Sequence, residues 1–322
     1  MSLNAFQKKM VPFAIALGMF STVHAEDAVT PKIAGVVDAG TKVEFIKDGF
    51  EGTEGPLAVP DGSAICTETK VNRITRMAPD KTTSTFLENT GGANGLAFAK
   101  NGDLYAVQQA APAKVGIIYP QGKEKVLAEN FEGAPFQRLN DLVLAKNGGI
   151  YFTDIGTRAT PENPNPPPST AGVFYITPKG ELKRIVSDLE RPNGVQLSID
   201  EKTLFVANTA GEYILSYKIA DDGSISHKKD FAKLKGWSQT DAIWSSGADG
   251  LAVDEKGRLY VASSAGVEVF DDAGKELGVI PIPKKPQNLA FAGKDKKTLY
   301  VVGRGDAYKV ALKTAGYAGR AK

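Results

Sequence analysis

The sequence predicts an all-β fold, a six-bladed β-propeller closed by an N-terminal strand, on three observations. A phrase of two apolar strands around a tight polar turn recurs along the chain: "GANGLAFAKNGDLYAVQQ" (92–109), "RPNGVQLSIDEKTLFVANT" (191–209) and "GADGLAVDEKGRLYVASS" (247–264) are its clearest versions. Further strand-like runs lie between the copies, giving four strands per blade-sized unit. Glycine is abundant at 34 residues, and turn dipeptides outnumber helix-capping signals.

The elements follow in chain order. Residues 1–25, "MSLNAFQKKMVPFAIALGMFSTVHA", have a basic start at Lys8 and Lys9, a short apolar run, and Val23-His24-Ala25 as a small-residue cleavage site. This order is that of a secretory signal peptide cut before Glu26, and it predicts a periplasmic or secreted protein. The apolar run is too short for a membrane span. Residues 26–322 are then expected to form one propeller domain.

Six copies of the phrase begin at Glu54, Asn94, Asn140, Asn193, Asp249 and Asn288, with starts separated by 40, 46, 53, 56 and 39 residues. Asp-Gly, Asn-Gly or Lys-Gly usually supplies the turn between the two strands. "NRITRM" (72–77), "GVFYIT" (172–177), "YILSYKIA" (213–220) and "GVEVF" (266–270) read as further blade strands. The sixth unit shows only three strands, ending at "AYKVAL" (307–312), and "KVEFIKD" (42–48) is the strand left to close the ring.

Two inserts, "TRATPENPNPPPSTAG" (157–172) and "KLKGWSQTDAIWSSG" (233–247), lengthen the blade spacing. The first is stiffened by proline, and the second carries both tryptophans, Trp237 and Trp244. They are expected to form a lid and an aromatic wall over the channel mouth, favouring a sugar-like or flat ring.

Composition removes several functions. Without the signal the chain has 37 basic and 37 acidic residues, so charge makes no case for nucleic acid or membrane partners. The single cysteine, Cys66, excludes an intramolecular disulfide and reads as a small core residue. His227 is the one histidine left after the signal, which argues against Ser-His-Asp, Cys-His and HExxH chemistries; its context is that of a surface residue.

In a propeller the first strand of each blade lines the axial channel. The six residues that open the copies, Glu54, Asn94, Asn140, Asn193, Asp249 and Asn288, are therefore expected to converge at one mouth. For any one copy Asn-Gly or Asp-Gly could simply make a tight turn, but glutamate has no such role at Glu54. Two carboxylates and four amides suit a hard divalent cation, calcium first, with magnesium, manganese or zinc as alternatives. Two negative ligands would offset its charge, whereas unpaired carboxylates there would be costly.

From about residue 42 to 315 the chain resembles the gluconolactonase, senescence-marker-protein and luciferin-regenerating-enzyme family of six-bladed propellers. The resemblance rests on "EGPLAV" (54–59), "NRITRM" (72–77), "RLNDLVL" (138–144), "GGIYFTD" (148–154), "RPNGVQLS" (191–198), "DGLAVDEKGRLYVA" (249–262), "GVEVFDDAGKELGVI" (266–280) and "KTLYVV" (297–302), in that order. It implies a divalent-metal-dependent hydrolase that opens a lactone. It implies that Glu54, Asn193 and Asp249 bind the metal, and that Asn140 joins them or contacts substrate. It also implies that Arg138 directs its guanidinium at substrate oxygens.

Asp249 is the candidate for activating water and Glu54 mainly a ligand, although either carboxylate could serve as base. Three departures, Ile155 in "FTDI", the "AVQQ" run (106–109) and Glu68, are expected to alter the pocket wall, and so the substrate. Phosphotriester cleavage on the same metal, and a non-catalytic binding propeller with a structural metal, are the alternative readings.

Overall fold

In the computed structural model, which describes residues 28–157, 164–165, 167–240 and 244–322, the chain forms six four-stranded antiparallel sheets. No helix occurs among the described residues. The expected signal peptide, 1–25, lies outside them.

Blade one comprises Thr53–Ala58, Ala64–Glu68, Arg73–Met77 and Thr83–Glu88. Blades two to five open with Ala93–Phe98, Leu139–Leu144, Pro192–Leu197 and Leu251–Val253. Blade six combines Asn288–Ala292, Thr298–Gly303 and Asp306–Ala311 with Val43–Lys47 from the N-terminal side. Val43 pairs with Val310 and Phe45 with Tyr308, so the expected closing strand is in place. Joining the two ends covers the edge that Asp306–Ala311 would otherwise expose.

Blades pack face to face, and each gap between neighbours holds its own apolar cluster. Ile65, Ile74, Leu96 and Leu104 fill the gap between blades one and two. Cys66 and Met77 turn the other way, toward Tyr300 and Val302 of blade six. Successive residues of one strand thus serve two different clusters, as the period of two requires. Burial of both faces explains why the strands read as continuous apolar runs rather than as an alternation. Cys66 is a fully buried free thiol, and burial raises its pKa.

The turns follow the expected chemistry. In "AKNGDL", Gly102 adopts φ +86 and donates to the Ala99 carbonyl, while the Asn101 side chain caps Asp103. An L side chain is disfavoured at that φ. His227 is exposed on the outer strand Ile225–Lys233, as its context suggested.

Candidate metal and substrate site

The first strands of blades one to four share a local irregularity. Their pairing with the second strand shifts register between Glu54 and Leu57, Ala93 and Leu96, Leu139 and Leu142, and Pro192 and Val195. A bulge of this kind re-aims the side chain beside it. Here the residues beside it are Glu54, Asn94, Asn140 and Asn193. In blade five regular pairing starts at Leu251, and Asp249 is held just ahead of it by its N–H to the Ala262 carbonyl.

These five side chains line one cleft of about 640 Å³ at a mouth of the channel. Asn94, Asn140 and Asn193 are almost fully buried, as is Glu54. Threonines of the second strands fix the ring's main chain: Thr67 donates to the Asn94 carbonyl at 3.1 Å and Thr153 to that of Asn193 at 2.6 Å. Thr209 accepts from Asn193 Nδ2 at 2.9 Å and donates to the carbonyl of Ala248, beside Asp249.

Glycine beside the ring residue solves a crowding problem. A Cβ on Gly194 would lie 2.1 Å from the Asp249 carbonyl oxygen, and one on Gly250 1.9 Å from Asn288 Oδ1. The recurrent Asn-Gly and Asp-Gly pairs therefore serve two needs. One residue supplies an oxygen, and its neighbour lets the inner strands approach.

The sixth position is corrected by one residue. Asn288 does not line the cleft; Gln287 does. Tyr300 of blade six pairs with Ala290 as Tyr260 of blade five pairs with Ala252, which aligns Gln287 with Asp249. Blade six extends this hairpin by an extra pair, Ala292 with Thr298, so counting back from its turn lands one residue late. Asn288 sits a layer behind and donates to Glu54 Oε2 at 3.1 Å, while Gln287 donates to Oε1 at 3.2 Å.

Four oxygens of the ring, the Oδ1 atoms of Asn94, Asn140, Asn193 and Asp249, are shut from solvent and lack any hydrogen-bond donor. Buried acceptors are seldom left so, and four on one ring mark a place for a ligand that accepts lone pairs. Burial pushes the Glu54 carboxyl up to about 7; the Asn288 hydrogen bond opposes this and Asp141 adds to it. Burial, then Glu54 and Asp141, raise Asp249 well above the usual carboxylate range. A divalent cation between such groups reverses the preference and favours both charged forms.

Among the described residues no cluster of three or more His, Cys, Asp or Glu is placed to hold a metal. The donor set here is two carboxylates and several amide oxygens, which suits a hard ion and not a soft one.

Arg138 stands at the exposed rim of the cleft. Its main chain is set by Asp154, which accepts from the N–H groups of Gln137 at 2.9 Å, Arg138 at 2.8 Å and Gly156 at 2.8 Å. Of the three departures, Ile155 and Gln109 do line the cleft. Glu68 does not: it is buried behind the wall, holding Arg73, Thr75 and the Glu51 N–H.

The aromatic wall is also corrected. Among the described residues Phe50 is the aromatic residue of the cleft, whereas Trp237 is half-buried elsewhere and Trp244 is 56% exposed. From the second insert only Ser245 and Gly247 reach the cleft among the described residues. Part of the first insert, 158–163 and 166, lies outside them.

Lys70, Arg191, Lys285 and Arg304 line the cleft as well, and sequence reasoning missed them. Lys70, Lys285 and Arg304 stand on connections around the inner strands, where no repeat marks them, and Arg191 heads the phrase "RPNGVQLS" without having been singled out there.

The fold and the site together define a six-bladed propeller with an oxygen-lined, cation-rimmed pocket at one end of its axis. Residues 52–304 match the SMP-30/Gluconolactonase/LRE-like region, and the chain belongs to that family. It is 27% identical over 318 residues to a gluconolactonase of Zymomonas mobilis, covering 92% of this chain and 88% of the relative. It is 30% identical to the lactonase drp35 of Staphylococcus aureus over 46% of this chain and 43% of that one.

A gluconolactonase structure from Xanthomonas campestris superposes with a TM-score of 0.74 at 26% identity, covering 90% and 96% of the two chains. A regucalcin from Agrobacterium tumefaciens, described as a calcium-binding protein, shares the fold with a TM-score of 0.68 at 15% identity, covering 86% and 96%.

Proposed function

We propose that the protein is an exported, divalent-metal-dependent lactonase that opens a sugar lactone or similar cyclic ester. The hydrolase class is that of the named gluconolactonase and lactonase relatives. The observation that carries the metal-dependent reading is the set of four unpartnered, buried Oδ1 atoms beside Glu54 at the floor of one cleft. Export rests on the signal-like order of residues 1–25.

In this reading Glu54, Asn140, Asn193 and Asp249 would hold the cation, calcium being the first candidate. When bound, it supplies Lewis acidity toward the lactone carbonyl and lowers the pKa of water. Asp249 is the candidate to take the proton from the attacking water, through the carboxylate oxygen that does not hold the cation. Arg138 orients substrate hydroxyls at the mouth or meets the negative charge that grows on the carbonyl oxygen. Asn288 from behind and Gln287 from within the cleft keep the Glu54 carboxylate in place.

The test is a chelated preparation reloaded with calcium, magnesium, manganese or zinc and screened against aldonolactones, aromatic lactones and phosphotriesters. Turnover of lactones restored by a divalent ion is the expected result. Undiminished turnover after complete chelation would remove the metal from the reaction. Rates confined to phosphotriesters would move the specificity to the alternative chemistry.

A further inference from the structure

The chain as a whole is nearly balanced in charge, with 39 basic and 37 acidic residues. The cleft is not. Among the described residues five cationic side chains line it, Lys70, Arg138, Arg191, Lys285 and Arg304, against two carboxylates, Glu54 and Asp249. Within the described residues, the side chains of Lys70, Arg138, Lys285 and Arg304 have no hydrogen bond or ion pair. A divalent cation on the ring would only increase the positive excess. Neutralising the floor therefore does not account for all of these side chains.

Their placement is uneven. Lys285 and Arg304 belong to the Asp249 side, where the field of both favours the charged form of that carboxyl. Lys285 is half-buried, and its ammonium packs over bare backbone: a Cβ on Gly247, at φ +65, would lie 2.4 Å from Nζ. Arg304 occupies the tight turn after Thr298–Gly303 with φ +55. Its N–H donates to Gln287 Oε1 at 2.8 Å, and Gln287 in turn holds Glu54. The two cations are thus tied to the same scaffold as the ring. Burial makes the Lys285 charge costly, and Arg304 adds to that cost.

One negative charge develops during ester hydrolysis, and Arg138 together with a bound cation already answers it. A second, permanent anion on the substrate is what remains for the other cations. We propose that Lys285 and Arg304 form a subsite for a carboxylate or phosphate carried on the lactone away from its reacting carbonyl. The natural substrate is then an acidic sugar lactone rather than a neutral one. This inference rests on the lactonase reading for its reaction, but not for its ligand charge.

The experiment compares matched pairs: D-glucaro-1,4-lactone with D-glucono-1,4-lactone for a carboxylate, and 6-phospho-D-glucono-1,5-lactone with D-glucono-1,5-lactone for a phosphate. The quantity read is kcat/KM for the anionic member over the neutral one, in the parent and in Lys285→Gln and Arg304→Gln. A ratio of about tenfold or more in the parent is expected, because an added charge pair near a surface has that size. It should fall toward unity in either variant and with rising salt.

The pair with the larger ratio identifies the anion. Calorimetric binding of the same pairs at low temperature is read separately. Absent turnover with every lactone sinks the lactonase reading, and a binding preference lost in the variants would still support the subsite. Equal turnover and equal affinity for both members of each pair overturn it, as does a preference that both variants keep.

Discussion

Lys322 Nζ donates to Asp141 Oδ2 at 2.5 Å, with the lysine side chain 5% exposed and the aspartate fully buried. The pair lies directly behind the ring, since Asp141 follows Asn140 and takes the place that Gly95, Gly194 and Gly250 hold in other blades. Asp141 also accepts from the Leu142 N–H at 2.9 Å and the Val195 N–H at 3.3 Å. A lysine arriving from far along the chain therefore supports a carboxylate that touches two blades. Its charge also lowers the Glu54 pKa, against the opposing effect of Asp141.

Breaking this pair from one side should be costly. Lys322→Met leaves a buried carboxylate without its cation, and the expected loss is about 3–5 kcal/mol. Adding Asp141→Asn removes the orphaned charge, so the double variant should recover part of that loss. Urea denaturation of parent, single and double variants measures both quantities. A single variant with the parental midpoint would show that the pair contributes nothing.

Closure of the ring makes a different prediction. Val43 is 1% exposed and belongs to the cluster between blades five and six. A chain lacking residues 26–48 loses Val43–Lys47 and leaves Asp306–Ala311 as an open edge, so it should aggregate or unfold at a lower denaturant concentration. Size-exclusion chromatography and a denaturation curve decide this. A monomeric truncated protein of parental stability contradicts it.

The closing strand was legible because counting strands per repeat left one place empty. The ring was legible because each inner strand repeats an oxygen-bearing residue at one position. Asn288 was misplaced because an asparagine beside Leu289 imitates that pattern, while the extra Ala292–Thr298 pair is a matter of hairpin length. Lys285 and Arg304 carry no signal at all. They lie outside the repeat, and only the closing of blade six against blade five brings them to Asp249. Trp237 and Trp244 misled for a related reason: an insert's position in the chain does not fix which way its side chains turn.

Glu68 allows a test in pH. Burial alone would raise its pKa, but the Thr75 hydroxyl, the Glu51 N–H and Arg73 outweigh it and the net shift is downward. A depressed carboxyl adds stability above its unfolded pKa of about 4.3 and loses it as pH falls through the folded value. Glu68→Gln should cost about 1.5–3 kcal/mol at pH 7, the range for hydrogen bonds to a charged group. The gap between parent and variant should close as the pH drops below about 4, near the ordinary glutamate pKa. Denaturation midpoints at pH 7 and pH 3 supply the comparison; a gap that stays constant removes the charge from the explanation.

The ring itself is tested by charge rather than by shape. Asp249 and Asn94 both present a buried Oδ1 without a partner, so geometry treats them alike. They differ in that Asp249 carries one of the two carboxylates of the cleft and is the candidate base, whereas Asn94 is neutral. Asp249→Asn keeps the volume and removes the charge, so lactone turnover should fall by about two to four orders of magnitude. Divalent-metal affinity should weaken with it. Folding should not suffer, because burial and Glu54 already disfavour the ionised form of Asp249. The chelated variant should therefore denature at the parental midpoint or above it. Asn94→Ala should retain more of both turnover and metal binding. Steady-state rates, calorimetric titration with calcium and thermal denaturation of the two variants measure all three. Parental turnover in Asp249→Asn, or a larger loss in Asn94→Ala, would reassign the chemistry of the ring.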